Sequence, residues 1–322
     1  MDFYVLLCYT DCMAVLNKRA AVKKLKNLVF SQKSDLTVFR AKIEKQFTKL
    51  ILPNQVDCRN TTVHGLTCDM LIPQVSSNKR MILYIHGGSF MGGSRLSWRN
   101  FCASLANETS SRVLVPEFRL APEYAFPAAL EDITAVYKRM CDHQVEIFIA
   151  GDGSGGAIAL AAALSLPKQL RHFFKGMILF SPWVDLSFTA GNFAEKSTDP
   201  INNVDNLRYC GAYYTYSANL DNPLVSPLQA ASTHFSDFPP VFIQAGSSEV
   251  ILPGIKKLAG KMQEAGVDCT LKVWDGLFHF FQFVDEYVPQ AHLSIGEVGQ
   301  FVKNIKNQED NMDFDGVGDL WS

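Results

Sequence analysis

With 322 residues, 48% of them hydrophobic and 23 of them phenylalanine, the chain has ample apolar material for one large α/β domain or two small ones. A formal charge of −2 gives no overall argument for nucleic acid. No apolar run reaches the roughly 18 residues that a transmembrane helix needs. The eight cysteines are scattered, with no C-x-x-C pair and no His-rich partner run. They read as reduced thiols of a cytoplasmic protein rather than as a disulfide framework or a zinc site.

Met1 to Leu16 is apolar but carries Asp2 and Asp11, with no basic start and no cleavage site, so it is not read as a signal peptide. Val15, Val22, Leu25 and Val29, and then Leu36, Phe39, Ile43, Phe47 and Leu50, step by three and four. Each set is one apolar face of a helix, so residues 1–55 are expected to form two amphipathic helices that dock on something else. Residues 18 to 49 hold ten Lys and Arg against Asp35 and Glu44. Such a basic face, spanning 13–50, is most often solvated, and weak contact with an anionic membrane is the alternative.

From about Cys58 the texture changes to short apolar runs alternating with helical stretches. Strands are expected near 81–85, 113–115, 146–150, 177–180, 241–245 and 270–274, and helices near 97–108, 127–141, 155–165, 254–265 and 289–305. Buried strands alternating with helices imply a mainly parallel sheet covered on both faces, with its ligand site at the carboxyl ends of the strands. Residues 187–220 break the alternation with Phe188, Phe193, Tyr209, Tyr213, Tyr214 and Tyr216. They are expected to be a cap insertion in a 56–305 core, paired with the N-terminal helices. An acidic tail, 306–322, ends the chain. Its Asn311–Asp319 stretch resembles the first nine positions of an EF-hand loop, but Ser322 stands at position twelve in place of the bidentate glutamate. A solvated tail is the better reading. No metal or organic cofactor is implied.

The chemistry concentrates where Ile147–Ala150 runs into Gly151-Asp152-Gly153-Ser154-Gly155-Gly156 and a small-residue helix follows at once. This is the build of a nucleophile elbow, which holds one side chain exposed at the top of the sheet. Read from Gly151 and Gly155, the middle of G-x-S-x-G is position 153, which is glycine. Ser154 falls one step late, where the residue after the nucleophile offers its backbone N–H to an oxyanion.

Each remaining candidate follows a strand. His86-Gly87-Gly88-Ser89-Phe90 comes after the first core strand, where two glycines can turn backbone N–H groups toward one point. Glu249 follows the next-to-last strand and His279 the last. A carboxylate and then a histidine downstream of the elbow give the order nucleophile, acid, base.

Together these residues resemble the hormone-sensitive-lipase family of α/β-hydrolase carboxylesterases and lipases over roughly residues 60 to 305. The family's H-G-G-G-F is His86 to Phe90, with Ser89 in place of the third glycine. Its Y-R-L-A-P-E and F-P-A-A-L are Phe118 to Glu123 and Phe126 to Leu130. Ser181 to Leu186, Ser226-Pro227-Leu228 and the Gly276-x-x-His279 turn are similar too. The resemblance implies an α/β-hydrolase fold with a helical cap over an acyl pocket. It also implies Glu249 as acid, His279 as base, and the N–H groups of Gly88, Ser89 and Ser154 as the oxyanion hole.

The family's G-D-S-[AS]-G-G is matched at every place except the nucleophile. An intact member attacks a carboxylic ester through an acyl-enzyme; losing a catalytic serine costs on the order of 10⁶ in turnover. Three explanations compete. The serine was replaced by engineering or recent loss. Or the chain is a natural pseudoenzyme that holds an acyl or hormone-like ligand, as the plant gibberellin receptors do on this fold. Or Ser154 acts in a distorted turn.

Overall fold

The apolar runs expected as strands all pair into one sheet in the computed structural model, which describes residues 17–48, 52–53 and 55–305. They are β3 (Ser77–Ile85), β4 (Ser111–Pro116), β5 (Glu146–Asp152), β6 (Phe174–Phe180), β7 (Val241–Gly246) and β8 (Cys269–Trp274). Two further strands, β1 (Val56–Val63) and β2 (Leu66–Pro73), complete the eight-stranded order β1-β2-β4-β3-β5-β6-β7-β8. β1 pairs antiparallel with β2, and β2 antiparallel with β4; every other pairing is parallel. The chain therefore switches direction around β3, β4 and β5, and such a switch point opens a crevice at the carboxyl ends of parallel strands.

Helices α3 (Arg95–Thr109), α4 (Ala128–Cys141), α5 (Gly153–Ser165), α7 (Leu252–Glu264) and α8 (Gln290–Asn304) cover both faces, with α3 packed on α8 and α4 on α5. Local chemistry sets where they start. Ser94 caps α3 in a reciprocal box with Ser97, satisfying otherwise orphaned N–H groups. α5 is so rich in Gly and Ala that the sheet and neighbouring helices close over it; Gly153 to Ala163 are all buried.

The N-terminal segment is helical over 17–25 (α1), passes through a 3-10 turn at Lys26–Leu28, and forms α2 (Leu36–Phe47) after the Asp35 side chain accepts the Val38 N–H at 3.0 Å. Val29 departs from the expected helical face: it follows the 3-10 turn with extended backbone. Val15 and Leu50 lie outside the described residues, as do Cys8, Cys12 and the acidic tail. Arg40 fastens α2 to the core, forking onto Glu123 at 2.8 and 2.7 Å and donating to the Met91 and Ala121 carbonyls. Lys24 pairs with Glu286. Part of the basic face is thus spent inside the molecule.

The 187–220 stretch contains one regular helix, α6 (Val204–Tyr214), and it meets the N-terminal segment. Phe30 stacks on Tyr209 with centroids 5.9 Å apart. The Asn206 amide donates to the Phe30 carbonyl at 2.6 Å and accepts the Gln32 N–H at 3.3 Å. Among the described residues no helix is long and apolar enough to cross a membrane. The described cysteines are free thiols, all buried except the half-buried Cys58.

Candidate active site

The turn between β5 and α5 brings Gly153 to the carboxyl end of the sheet with a φ of +49°, a left-handed conformation that glycine adopts without strain. The turn is held from outside. The Trp183 N–H donates to the Gly153 carbonyl at 2.9 Å, and the Gly155 backbone lies so close to β3 that a β-carbon there would stand 2.2 Å from the Ile85 carbonyl oxygen.

A β-carbon built on Gly153 would stand 3.2 Å from Nε2 of His279 and 3.4 Å from its Cε1. The position flagged by the motif register therefore faces the histidine. Ser154 does not: its Oγ accepts the Phe90 N–H at 3.1 Å, and the side chain is buried. The structure thus brings Gly153, not the Ser154 hydroxyl, to His279.

His279 sits in the loop after β8, its Nδ1 3.1 Å from Oε2 of Glu249. With Nδ1–H donating to the carboxylate, the free lone pair of Nε2 points toward Gly153. Glu249 is 1% exposed. Its other oxygen accepts the Ser181 hydroxyl at 2.7 Å and the Gly246 N–H at 2.5 Å. Burial pulls the His279 pKa down, but the Glu249 hydrogen bond and charge, aided by Asp199 and Asp152, outweigh it and leave the imidazole above its ordinary 6.5. A base held this way favours the imidazolium that forms when it takes a proton.

Gly88, Ser89 and Ser154 line the same small cavity as Gly153 and His279. Among the described hydrogen bonds none uses the N–H of Gly88, Ser89 or Ser154. Three residues with backbone N–H groups to offer thus border one cavity. Ser89, which stands where the motif has glycine, carries a φ of +59°. Its hydroxyl accepts the Phe30 N–H at 3.1 Å and ties the N-terminal segment to this loop.

Asp152 and His86 lie beneath the site. Oδ1 of Asp152 accepts from the Gly87 N–H at 3.0 Å, the Tyr84 hydroxyl at 2.9 Å and the Trp98 indole at 2.8 Å. Burial raises its pKa from 3.8 to about 7 even so. His86 stacks on Phe118 with centroids 4.3 Å apart, and burial lowers its pKa to about 4. It is a neutral packing group under the loop.

The cavity measures about 30 Å³ and is also bordered by Leu25, Leu28, Val29, Trp183, Asn202, Leu207 and Ile251. Sequence reasoning missed Ser181, whose Oγ also accepts the Phe280 N–H at 3.2 Å and so bridges the loops of Glu249 and His279. Its one sequence signal is its place at the head of Ser181-Pro182-Trp183. Asp199, another omission, carries only the signal of an acid in an aromatic insertion.

Fold and site together define an α/β hydrolase. The family profile described as the alpha/beta hydrolase fold matches residues 82–283, and the chain belongs to that family. Its similarities place it with the hormone-sensitive-lipase esterases. An esterase of Acinetobacter venetianus is 29% identical over 258 residues, which is 78% of this chain and 83% of that protein. An acetyl-hydrolase of Streptomyces hygroscopicus is 29% identical over 251 residues, 77% of this chain and 83% of that one. The crystal structure of an esterase from the bacterial hormone-sensitive lipase family superposes with a TM-score of 0.80 at 27% identity, over 90% of this chain and 98% of that chain.

Proposed function

We propose that the chain is a carboxylic-ester hydrolase acting on short to medium acyl esters, with Gly153 at the nucleophile position. In its present sequence the acyl-enzyme route is closed. The observation that carries this reading is the 3.2 Å between a β-carbon built on Gly153 and Nε2 of His279. A serine there would put its hydroxyl within reach of a base already oriented by Glu249.

In the full mechanism His279 takes the proton of the attacking oxygen at Nε2. The N–H groups of Gly88, Ser89 and Ser154 hold the oxyanion, and His279 then returns the proton to the leaving alcohol. The N-terminal helices and the 187–220 insertion act as the cap. Leu25, Leu28 and Val29 have to move for an ester to enter, because a cavity of about 30 Å³ is far smaller than the roughly 300–1,000 Å³ of a ligand pocket. The tight fit favours small acyl groups, in keeping with the acetyl-hydrolase relative. Anionic-membrane contact through 13–50 is disfavoured where Lys24 and Arg40 are already paired internally.

The test is hydrolysis of p-nitrophenyl acetate and butyrate by this chain and by Gly153→Ser, side by side. A gain of several orders of magnitude in the serine form is expected, up to about 10⁶ from the known cost of losing such a serine. No gain would refute the reading and leave a ligand-binding protein in its place. Fast turnover by the unaltered chain that Ser154→Ala abolishes would overturn the register at the elbow.

A further inference from the structure

We infer that the glycine at position 153 converts the site from one that acylates itself into one that transfers an acyl group directly from ester to a small free oxygen nucleophile: water, or a primary alcohol of methanol size. The inference rests on the esterase reading and goes beyond it, since it assigns the unaltered chain an activity of its own.

The geometry supplies every group such a reaction needs except the nucleophile. Nε2 of His279 faces the ground that a serine hydroxymethyl group would fill, as the 3.2 Å approach of a built β-carbon requires. Gly153, His279 and the oxyanion-donor candidates Gly88, Ser89 and Ser154 border one small cavity, and the hydroxymethyl group that serine would carry at 153 has the size of methanol. That space has two uncharged walls, Leu28 and Val29 above and Trp183 beside it. Beside Nε2, Asp152 and Asn202 also line it, and the N–H groups of Gly88, Ser89 and Ser154 suit an oxyanion. A nucleophile entering there finds Nε2 as its hydrogen-bond acceptor, while Ser154 Oγ is already engaged by the Phe90 N–H at 3.1 Å.

The step balances without any redox partner. A lone pair of the alcohol oxygen forms a bond to the ester carbonyl carbon, and the alcohol's proton passes to Nε2. The carbonyl π pair moves onto oxygen, which the backbone N–H groups hold. When the carbonyl re-forms, the bond to the leaving oxygen breaks, and that oxygen takes the proton from His279. Methanol yields a methyl ester and the free alcohol; water yields the carboxylic acid. One tetrahedral intermediate replaces the usual two, and no covalent enzyme species forms.

The experiment incubates the unaltered chain with p-nitrophenyl acetate in molar methanol and follows nitrophenol release together with methyl acetate by gas chromatography. Methyl acetate is expected to form in proportion to methanol, at roughly 10³-fold over the enzyme-free rate, the scale that an oxyanion hole and binding retain without a nucleophile. Ethanol should serve less well and 2-propanol hardly at all. His279→Gln should remove the enzyme-dependent methyl acetate. Gly153→Ala, which keeps the base and donors but fills the space, should remove it as well. If Gly153→Ala does not fold, the alcohol size series and His279→Gln decide. Equal methyl acetate from Gly153→Ala and the unaltered chain would overturn the inference. So would its absence while Gly153→Ser hydrolyses the same ester, an outcome that leaves the esterase reading standing. An inert Gly153→Ser with no methyl acetate would sink both.

Discussion

Asp152→Ala and Asp152→Asn, compared by urea unfolding at pH 5.5 and pH 8.5, test how the loop carrying Gly87 to Ser89 is held. In the folded chain a single oxygen of Asp152 receives three buried donors, from Gly87, Tyr84 and Trp98. Alanine leaves all of them without an acceptor. Each such orphan costs about 1–3 kcal/mol, so a loss of at least ~3 kcal/mol is expected, a large fraction of the ~5–15 kcal/mol available to a domain. Asparagine keeps an oxygen in the same place and adds an NH₂ that needs a partner, a cost of about 1–3 kcal/mol.

The two pH values separate charge from hydrogen bonding. The folded carboxyl is raised from 3.8 to about 7, so it contributes stability that is fully present below pH 3.8 and lost as pH rises through about 7. At one unit per 1.36 kcal/mol, ionising it in the fold costs on the order of 4 kcal/mol by pH 8.5. Asparagine escapes that cost. About 2 kcal/mol of that cost is already present at pH 5.5, so Asp152→Asn should gain on the unaltered chain by roughly 2 kcal/mol between pH 5.5 and pH 8.5. A difference between Asp and Asn that does not change with pH would refute the raised carboxyl. An alanine variant as stable as the asparagine one would refute the three-donor account.

Two further outcomes can be read in the Gly153→Ser background. Ser181→Ala removes the hydroxyl joining Glu249 to the Phe280 N–H. Turnover should fall roughly tenfold, the low end of a lost orienting contact, with KM little changed; a shift in KM alone would place Ser181 outside the positioning of the base. The pH profile of kcat/KM should show its acid limb above pH 6.5, because His279 must be neutral to accept a proton and its pKa is raised. By linkage, that raised pKa stabilises the fold below pH 6.5, and the contribution fades as pH climbs through the folded value. Glu249→Gln should move the limb to lower pH; an unmoved limb would show that the carboxylate does not set it.

The parallel half of the sheet was legible because strands buried on both faces read as unbroken apolar runs, and Gly-rich turns mark where they end. β1 escaped notice for the opposite reason. As an edge strand its sequence, Val56-Asp-Cys-Arg-Asn-Thr-Thr-Val63, buries only its two ends, so neither a run nor a clean alternation betrays it. The turn residues His64 and Gly65, both at positive φ, were the available hairpin signal. Gly153, Glu249 and His279 could be singled out by register because each follows a strand end, and they lie side by side in the fold. Ser181 could not: its role depends on two loops nearly seventy and a hundred residues further along the chain meeting at one oxygen, which no local pattern encodes. Val29 failed as a helical residue because the chain leaves α1 through a 3-10 turn that rotates it over the cavity.

An elbow without its hydroxyl also shows what makes the elbow. Glycine at φ +49° exerts no strain, so the turn is not there because residue 153 demands it. It is imposed by close approach: Gly155 against the Ile85 and His86 carbonyls, and the Gly153 carbonyl taken by the Trp183 N–H. A serine placed at 153 inherits that conformation and bears about 1–2 kcal/mol for a left-handed backbone. It also meets His279 at 3.2 Å, close enough that the ring must yield by a few tenths of an ångström. Both costs are small beside the roughly 8 kcal/mol that a 10⁶-fold change in turnover represents. The strain and the chemistry are thus separable here: the scaffold keeps the turn with either residue, and under the proposed function the side chain at 153 decides whether the attacking oxygen belongs to the protein or to the solvent.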